Sequence, residues 1–101
     1  MDPLCQNRLT VVGPKKDVAR FENEFVRNPD PGLSSFELLE ITATRVAWQF
    51  ETAKPPLAFI KQASLDHPGL TLLLEYDRED RRVKGLAKAK EGRLRHHRVK
   101  Y

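Results

Sequence analysis

Histidines and a single cysteine are the side chains of this 101-residue chain with the widest chemical range. His96 and His97 are adjacent, and adjacent residues of a strand point to opposite faces, so the pair does not share a metal ion. His67 precedes Pro68-Gly69 at the end of a predicted helix. Because no cluster of cysteines and histidines has ligand spacing, we predict no metal site.

The lone cysteine, Cys5, lies near the N-terminus. A catalytic thiol needs a base and an orienting group, and no histidine is near it in the sequence. One thiol is also too few for an ordinary iron–sulfur cluster, which takes about four. We therefore expect a passive thiol, at the surface or partly buried, in a frayed segment of residues 1–7. A single cysteine also fits a reducing compartment, which predicts the cytoplasm.

Two further patterns invite acid–base or phosphate chemistry. Glu37 and Glu40, and the pair Glu79-Asp80, lie where nothing predicts the burial that raises a carboxyl pKa. Gly13-Pro14-Lys15-Lys16 precedes a predicted helix, and a helix N-terminus with two lysines is a weak anion site. A phosphate-binding loop needs several glycines and a Lys-Ser/Thr pair. We predict no catalytic residues, no cofactor and no enzyme activity.

The charges of the chain are unevenly distributed. The net charge is +4, but residues 1–77 hold eight basic and eleven acidic residues, whereas residues 78–101 hold ten basic and three acidic ones. The two parts are thus −3 and +7, an asymmetry that concerns partners rather than fold. The candidate polyanion-binding residues of this C-terminal part are Arg81, Arg82, Lys84, Lys88, Lys90, Arg93, Arg95, Arg98 and Lys100.

Two interpretations of these basic residues stand side by side. They form a solvated edge whose lysines protect a strand from aggregation, or they contact phosphates, which needs only charge and reach. Sequence readout would need more than charge. By alternation, Lys84, Lys88 and Lys90 share a face of one strand, and Arg93 and Arg95 lie on the opposite face of the next. We therefore expect the charge to be divided over both faces of a hairpin.

The periodic segments follow the order strand, helix, strand, strand, helix, strand, and then a hairpin. They span residues 8–12, 15–27, 35–41, 44–51, a helix between Pro55-Pro56 and His67, residues 70–76, and a hairpin of residues 82–90 and 93–100 around Glu91-Gly92. The segment 28–32, rich in proline, ends the first helix, and residues 77–80 form a polar turn. This order predicts an α+β, ferredoxin-like βαββαβ two-layer sandwich in a single domain of residues 1–101, with an antiparallel sheet. Whether the added C-terminal β-hairpin extends the sheet or covers its open face is left open.

The aromatic residues of the third strand limit how this sheet can bind RNA. Val46, Trp48 and Phe50 alternate with a set that cannot make a core, namely Arg45, Ala47, Gln49 and Glu51. We therefore expect the first three to point under the helices. RNA-recognition domains stack bases on aromatic rings of the open face, which here lacks them. Tyr101 at the end of the hairpin adds a single ring.

Several segments resemble a known family. Residues Asn7-Arg8-Leu9-Thr10-Val11-Val12-Gly13-Pro14, Phe50-Glu51-Thr52-Ala53-Lys54-Pro55-Pro56 and His67-Pro68-Gly69-Leu70, followed by Leu74 and Tyr76, carry the similarity. They resemble the ferredoxin-like domain of YubB-type proteins, encoded on plasmids and integrated mobile elements of bacteria. Two departures are Lys54, where the family usually has tryptophan, and residues 77–82 in place of a Glu- and Gly-rich turn. The family has no established activity, so the resemblance implies a fold and a bacterial context.

Two functions of different classes follow. The first is a non-enzymatic interaction domain that docks a protein partner, or a second copy in a homo-oligomer, through a sheet face or edge. The alternative is an accessory nucleic-acid-binding domain that uses the basic hairpin. We predict no contact with a membrane, because the apolar runs are far shorter than the roughly 18–20 residues that a membrane span needs. Residues 1–7 also lack the pattern of a secretory signal.

Overall fold

The computed structural model describes residues 5–27 and 34–101, in which one six-stranded sheet carries two α-helices. The elements are β1 (Cys5–Val12), α1 (Lys15–Arg27), β2 (Ser34–Ile41), β3 (Arg45–Thr52), α2 (Leu57–Asp66), β4 (Thr71–Arg78), a 3₁₀ turn (Glu79–Arg81), β5 (Val83–Lys90) and β6 (Arg93–Lys100). The predicted helix stop at residues 28–32 lies outside the described residues, as do residues 1–4. The architecture is α+β with two layers.

The strands are arranged in the order β2-β3-β1-β4-β5-β6, and all neighbours are antiparallel. The C-terminal hairpin therefore extends the sheet, since β5 pairs with β4. Its two-residue turn at Glu91 and Gly92 has positive φ at both positions, 52° and 78°, the backbone that tight hairpins require. The Gly92 N–H donates a hydrogen bond to Ser64 Oγ of α2 at 2.9 Å, which ties the turn to the helix layer.

One face of the sheet is buried under the helices. Trp48 and Phe50 are 1% and 0% exposed and face α1, so the predicted orientation of the third strand is confirmed. Phe21 and Phe25 recur at helical spacing and place their rings 5.8 and 4.7 Å from Trp48. The amphipathic pattern predicted α1 with its observed bounds. Among the described residues, neither helix combines the length and the apolar character that crossing a membrane requires.

β1 begins at Cys5, so the prediction of a frayed segment over residues 1–7 is wrong from residue 5 onward. The polar Asn7 interrupts the apolar pattern by which the start of this strand would be predicted. Its amide donates to Thr52 Oγ1 at 2.9 Å and to the Phe50 carbonyl at 3.4 Å. Buried polar groups are tolerated when they are hydrogen-bonded in this way. Cys5 pairs with Thr52 and is fully buried.

β4 is longer than predicted. Asp77 and Arg78 belong to the strand and pair with Lys84 and Val83, so the predicted polar turn starts only at Glu79. Cross-strand partners on β5 therefore compensate for the low strand propensity of these charged residues, since pairing and packing dominate that propensity.

Candidate functional site

Four basic side chains gather at the turn end of the hairpin. Lys88 lies directly opposite Arg95, and Lys90 directly opposite Arg93. Residues directly opposite in an antiparallel pair share a face, and this is the open face, because the intervening Ala87 and Ala89 are buried on the helix side. We call these four residues, Lys88, Lys90, Arg93 and Arg95, the cationic cluster.

This placement corrects the expectation that Arg93 and Arg95 lie on the face opposite Lys84, Lys88 and Lys90. With a two-residue turn, Lys90 and Arg93 are partners, so the two sets that we expected on opposite faces coincide. Lys84 shares the open face with them. Arg98 and Lys100 lie on the other side of β6, opposite Gly85 and Val83.

The two remaining candidates are outside the strands. Arg81 is in the 3₁₀ turn, with its guanidinium 3.9 Å from Asp80, and Arg82 caps that turn in a left-handed conformation with φ 54°. Neither belongs to the cationic cluster.

The cluster has no carboxylate partner among the described residues. A shallow depression of about 230 Å³ lies among its four side chains and Glu91 of the turn. On the neighbouring strand β4, the residue directly opposite Lys88 is the apolar Leu73. The acidic residues of β4 lie further along, with Glu75 opposite Leu86 and Asp77 opposite Lys84. Positive charge is therefore concentrated at one end of the open face.

At the end of the hairpin away from its turn, Tyr101 contacts Asp77 and Lys84. The Tyr101 hydroxyl donates to Asp77 Oδ1 at 2.7 Å, and the Lys84 ammonium lies 5.2 Å from the centre of the Tyr101 ring. The hydrogen bond to the Asp77 carboxylate raises the pKa of Tyr101. The ring predicted to be free for stacking is thus already engaged by two neighbours.

The outer strand β2 presents an apolar edge that the sequence analysis did not identify. Phe36, Leu38, Leu39 and Ile41 are 41%, 48%, 40% and 53% exposed. Leu38 is opposite Trp48 and Ile41 opposite Val46, so both point to the helix side. Val26 at the end of α1 is also exposed. α1 contacts this strand at Phe36, whose ring centre lies 5.1 Å from that of Phe25, but it leaves Leu38 and Ile41 about half exposed.

Two register shifts interrupt β2, between Ser34 and Glu37 and between Leu38 and Glu40. Glu37 and Glu40 nonetheless pair with Gln49 and Ala47 and so lie on the open side. β2 therefore combines apolar side chains on one face with carboxylates on the other, along a strand whose outer edge has no neighbour within the sheet.

The three histidines are held apart. His67 is buried, and its Nε2 lies 3.0 Å from Glu24 Oε2, across a groove of about 320 Å³ between α1 and α2. His96 faces the helix side, with Nε2 2.6 Å from the Tyr76 hydroxyl. His97 is on the open side, opposite Leu86. Within the described residues, no group of three or more His, Cys, Asp or Glu side chains is arranged to hold a metal.

Three groups on the helix side of the sheet have altered acidity. Burial lowers the pKa of His96, and the nearby Arg98 guanidinium and His97 lower it further. Burial likewise raises the pKa of Tyr76. Burial raises the pKa of the Cys5 thiol to about 11, which keeps it protonated at neutral pH and poor as a nucleophile.

Comparison with known proteins finds no matching family model, no matching curated protein and no matching solved structure.

Proposed function

We propose that this chain is a non-enzymatic interaction domain that takes an extended segment of a partner protein onto the edge of β2. The observation that carries the proposal is the row of large, half-exposed side chains, Phe36, Leu38 and Ile41, on the helix side of a strand whose outer edge has no neighbour in the described part of the chain. An exposed apolar edge strand invites pairing with another chain. Strand addition supplies main-chain hydrogen bonds, and alternate side-chain sites supply selectivity.

The charges on β2 favour a different protein over a second copy. If two β2 strands paired antiparallel with Phe36 opposite Ile41, Glu37 of one copy would lie opposite Glu40 of the other. Like charges directly opposite each other destabilise a sheet. The partner segment that fits has apolar residues on one face and lysine or arginine on the other.

The finer fold and the origin of the chain belong to the same proposal. The chain order β1-α1-β2-β3-α2-β4, with the sheet order β2-β3-β1-β4, supports a ferredoxin-like unit to which β5 and β6 are appended. The sequence resemblance supports a YubB-type protein of a bacterial mobile element, acting in the cytoplasm. Cys5, in the core, and His67, beside Glu24, have structural contacts that agree with a role without catalysis.

A peptide titration tests the docking edge. The probe is a synthetic strand of about eight residues in which valine and lysine alternate, followed by NMR on the isotopically labelled full chain. We expect chemical-shift changes at the amides of β2 and of its neighbour β3. Leu38→Thr should weaken binding roughly tenfold, because it removes about 1.5 kcal/mol of apolar burial.

Leu86→Thr is the matched control, because Leu86 is equally apolar and 53% exposed but lies on β5. It should bind the probe as the unmodified chain does. Shift changes confined to β5 and β6, or equal losses in the two variants, would refute the β2 edge as the docking site. Sedimentation showing a stable dimer that Glu37→Lys strengthens would instead assign the edge to a second copy.

A further inference from the structure

We propose that the cationic cluster, Lys88, Lys90, Arg93 and Arg95, binds the phosphodiester backbone of a nucleic acid on the open face of the sheet. This site is separate from the β2 edge, which lies at the opposite end of the strand order.

The first step of the argument is geometric. The cluster is a rectangle of two cross-strand pairs, Lys88–Arg95 and Lys90–Arg93. Successive residues on one face of a strand are about 6.6–6.8 Å apart, and directly opposed residues about 4.5–5.5 Å. All four side chains are exposed. A negatively charged chain that crosses the end of the hairpin can therefore meet all four cations.

The second step is electrostatic. Both pairs oppose like charges, which destabilises a sheet, and no described carboxylate forms an ion pair with them. An anion placed among the four would relieve the repulsion that the folded hairpin otherwise bears. The two arginines add planar forks that suit phosphate oxygens, and the two lysines add compact charges.

The third step distinguishes nucleic acid from an acidic protein. Protein interfaces centre on an apolar, desolvated core, whereas the depression within the cluster is lined by its four basic side chains and the single carboxylate of Glu91. Phosphate binding needs no such core, because release of condensed counterions supplies the free energy. Among the described residues, no aromatic side chain lies in the cluster, so bases are not stacked there. Binding should accordingly be indifferent to base sequence.

Fluorescence anisotropy with a labelled duplex of mixed sequence tests the proposal, and single-stranded DNA and RNA form parallel arms. Four neutralised phosphates predict a slope of log K against log salt of about −3.6 for duplex and about −2.8 for single strands. Between 50 and 200 mM salt, the affinity should fall roughly 150-fold for duplex and roughly 50-fold for single strands. The slope therefore identifies which form of backbone engages all four cations.

The test variant combines Lys88→Glu with Arg93→Glu. Each new carboxylate faces a retained cation, Arg95 or Lys90, so the hairpin gains two attractive pairs and keeps its fold. Binding at 50 mM salt should weaken by roughly 100-fold or more. The control, Arg98→Glu with Lys100→Glu, makes the same change in net charge on the other side of β6. It should keep affinity within about fivefold and leave the slope unchanged.

Three results would overturn the inference. The first is absence of binding to every nucleic acid at roughly 50 mM salt, where contacts of this kind are strong. The second is an equal loss of affinity in the two double variants, which would show that binding depends on the total charge of the chain and not on the cationic cluster. The third is a poly-glutamate peptide that binds as tightly as the duplex, which would make the ligand an acidic protein.

Discussion

The two edges of the sheet differ in the properties that govern contact with another molecule. β2 carries apolar side chains and carboxylates, and its pairing with β3 is interrupted twice. β6 pairs with β5 without interruption over eight residues and carries arginines, histidines and a lysine. Both edges are free within the described sheet, yet only β6 carries lysine and arginine, and lysine above all is the charge that natural proteins place on edge strands to prevent association.

The layer beneath each edge explains the difference. Under β2 and β3 the core is built from large rings, with Phe36 lying 6.1 Å from Trp48. Under the hairpin, where α2 contacts β5, the core is built from the small residues Ala87 and Ala89, and the Tyr76 ring covers Gly85. Two helices cannot cover six strands completely, and β2 keeps four large apolar side chains that are at least 40% exposed.

Removal of Trp48 should have the largest effect on stability. Trp48→Ala deletes the ring that Phe21, Phe25 and Phe36 surround, and should cost about 3–5 kcal/mol. Leu94→Ala, at a partly buried position beneath the hairpin, should cost about 1–2 kcal/mol, because less of its surface is buried. Urea unfolding of both variants measures the contrast. Equal costs would mean that the two ends of the core are built alike.

Gly85→Ala should have the next largest effect. A Cβ at this position would lie 2.0 Å from Cζ of Tyr76, whose ring covers the glycine. The ring must shift, which disturbs its hydrogen bond to His96, and we expect a loss of about 1–3 kcal/mol from overpacking. In thermal unfolding, the double variant with Tyr76→Ala should be less destabilised than the sum of the two single changes. Simple additivity would contradict the contact.

The pH dependence of the hairpin follows from His96. Its folded-state pKa lies below the ordinary value, so the unfolded chain takes up a proton more readily. The resulting stabilisation is complete above the ordinary histidine pKa of about 6.5, and is lost as the pH falls through the lower folded value. Unfolding free energies at pH 7.5 and pH 5 should differ less in His96→Gln than in the unmodified chain. An unchanged difference would assign the acid sensitivity to other groups.

A smaller effect is expected from charge reversal at the hairpin. Arg95→Glu turns the repulsive pair with Lys88 into an attractive one, and should stabilise the fold by about 0.2–1 kcal/mol. The gain should shrink at high salt, because screening weakens exposed pairs. Denaturant melts at two salt concentrations measure it. A stability loss in this variant would show that the two side chains do not oppose each other.

The smallest effect is predicted at the apolar edge. Leu38→Thr should change the unfolding free energy by less than about 0.5 kcal/mol, as surface substitutions do, although the residue is apolar. The same substitution should weaken strand addition at β2, so stability and docking separate. A loss of about 2 kcal/mol or more, the cost of a core leucine, would place Leu38 in the core rather than at an interface.

The sequence contained most of the element pattern. The periodicity of Val18, Phe21 and Phe25 predicted α1, and the Glu91-Gly92 turn predicted the hairpin. The start of β1 was missed because Asn7 is buried by hydrogen bonds to residues more than 40 positions away. Local polarity carries no information about such partners.

The two candidate surfaces differ in how far the sequence specified them. The nine basic residues were visible, and a two-residue turn already implies that Lys90 opposes Arg93, so the shared face of the cationic cluster was within reach of pattern reasoning. The exposure of Phe36 and Leu38 could not be predicted in this way, because alternation shows which side of a strand is apolar but not whether a helix covers that side. That depends on how the two helices distribute over six strands.

The central position of β1 has a consequence for the time course of folding. β1 is the first strand of the chain, but its neighbours are β3 and β4, which end at Thr52 and Arg78. At a synthesis rate of about 5–20 residues per second, β3 is complete roughly 2–8 s after β1. A β1 strand emerging from the ribosome is thus without either neighbour for seconds, and it gains its second neighbour only after β4 has been made.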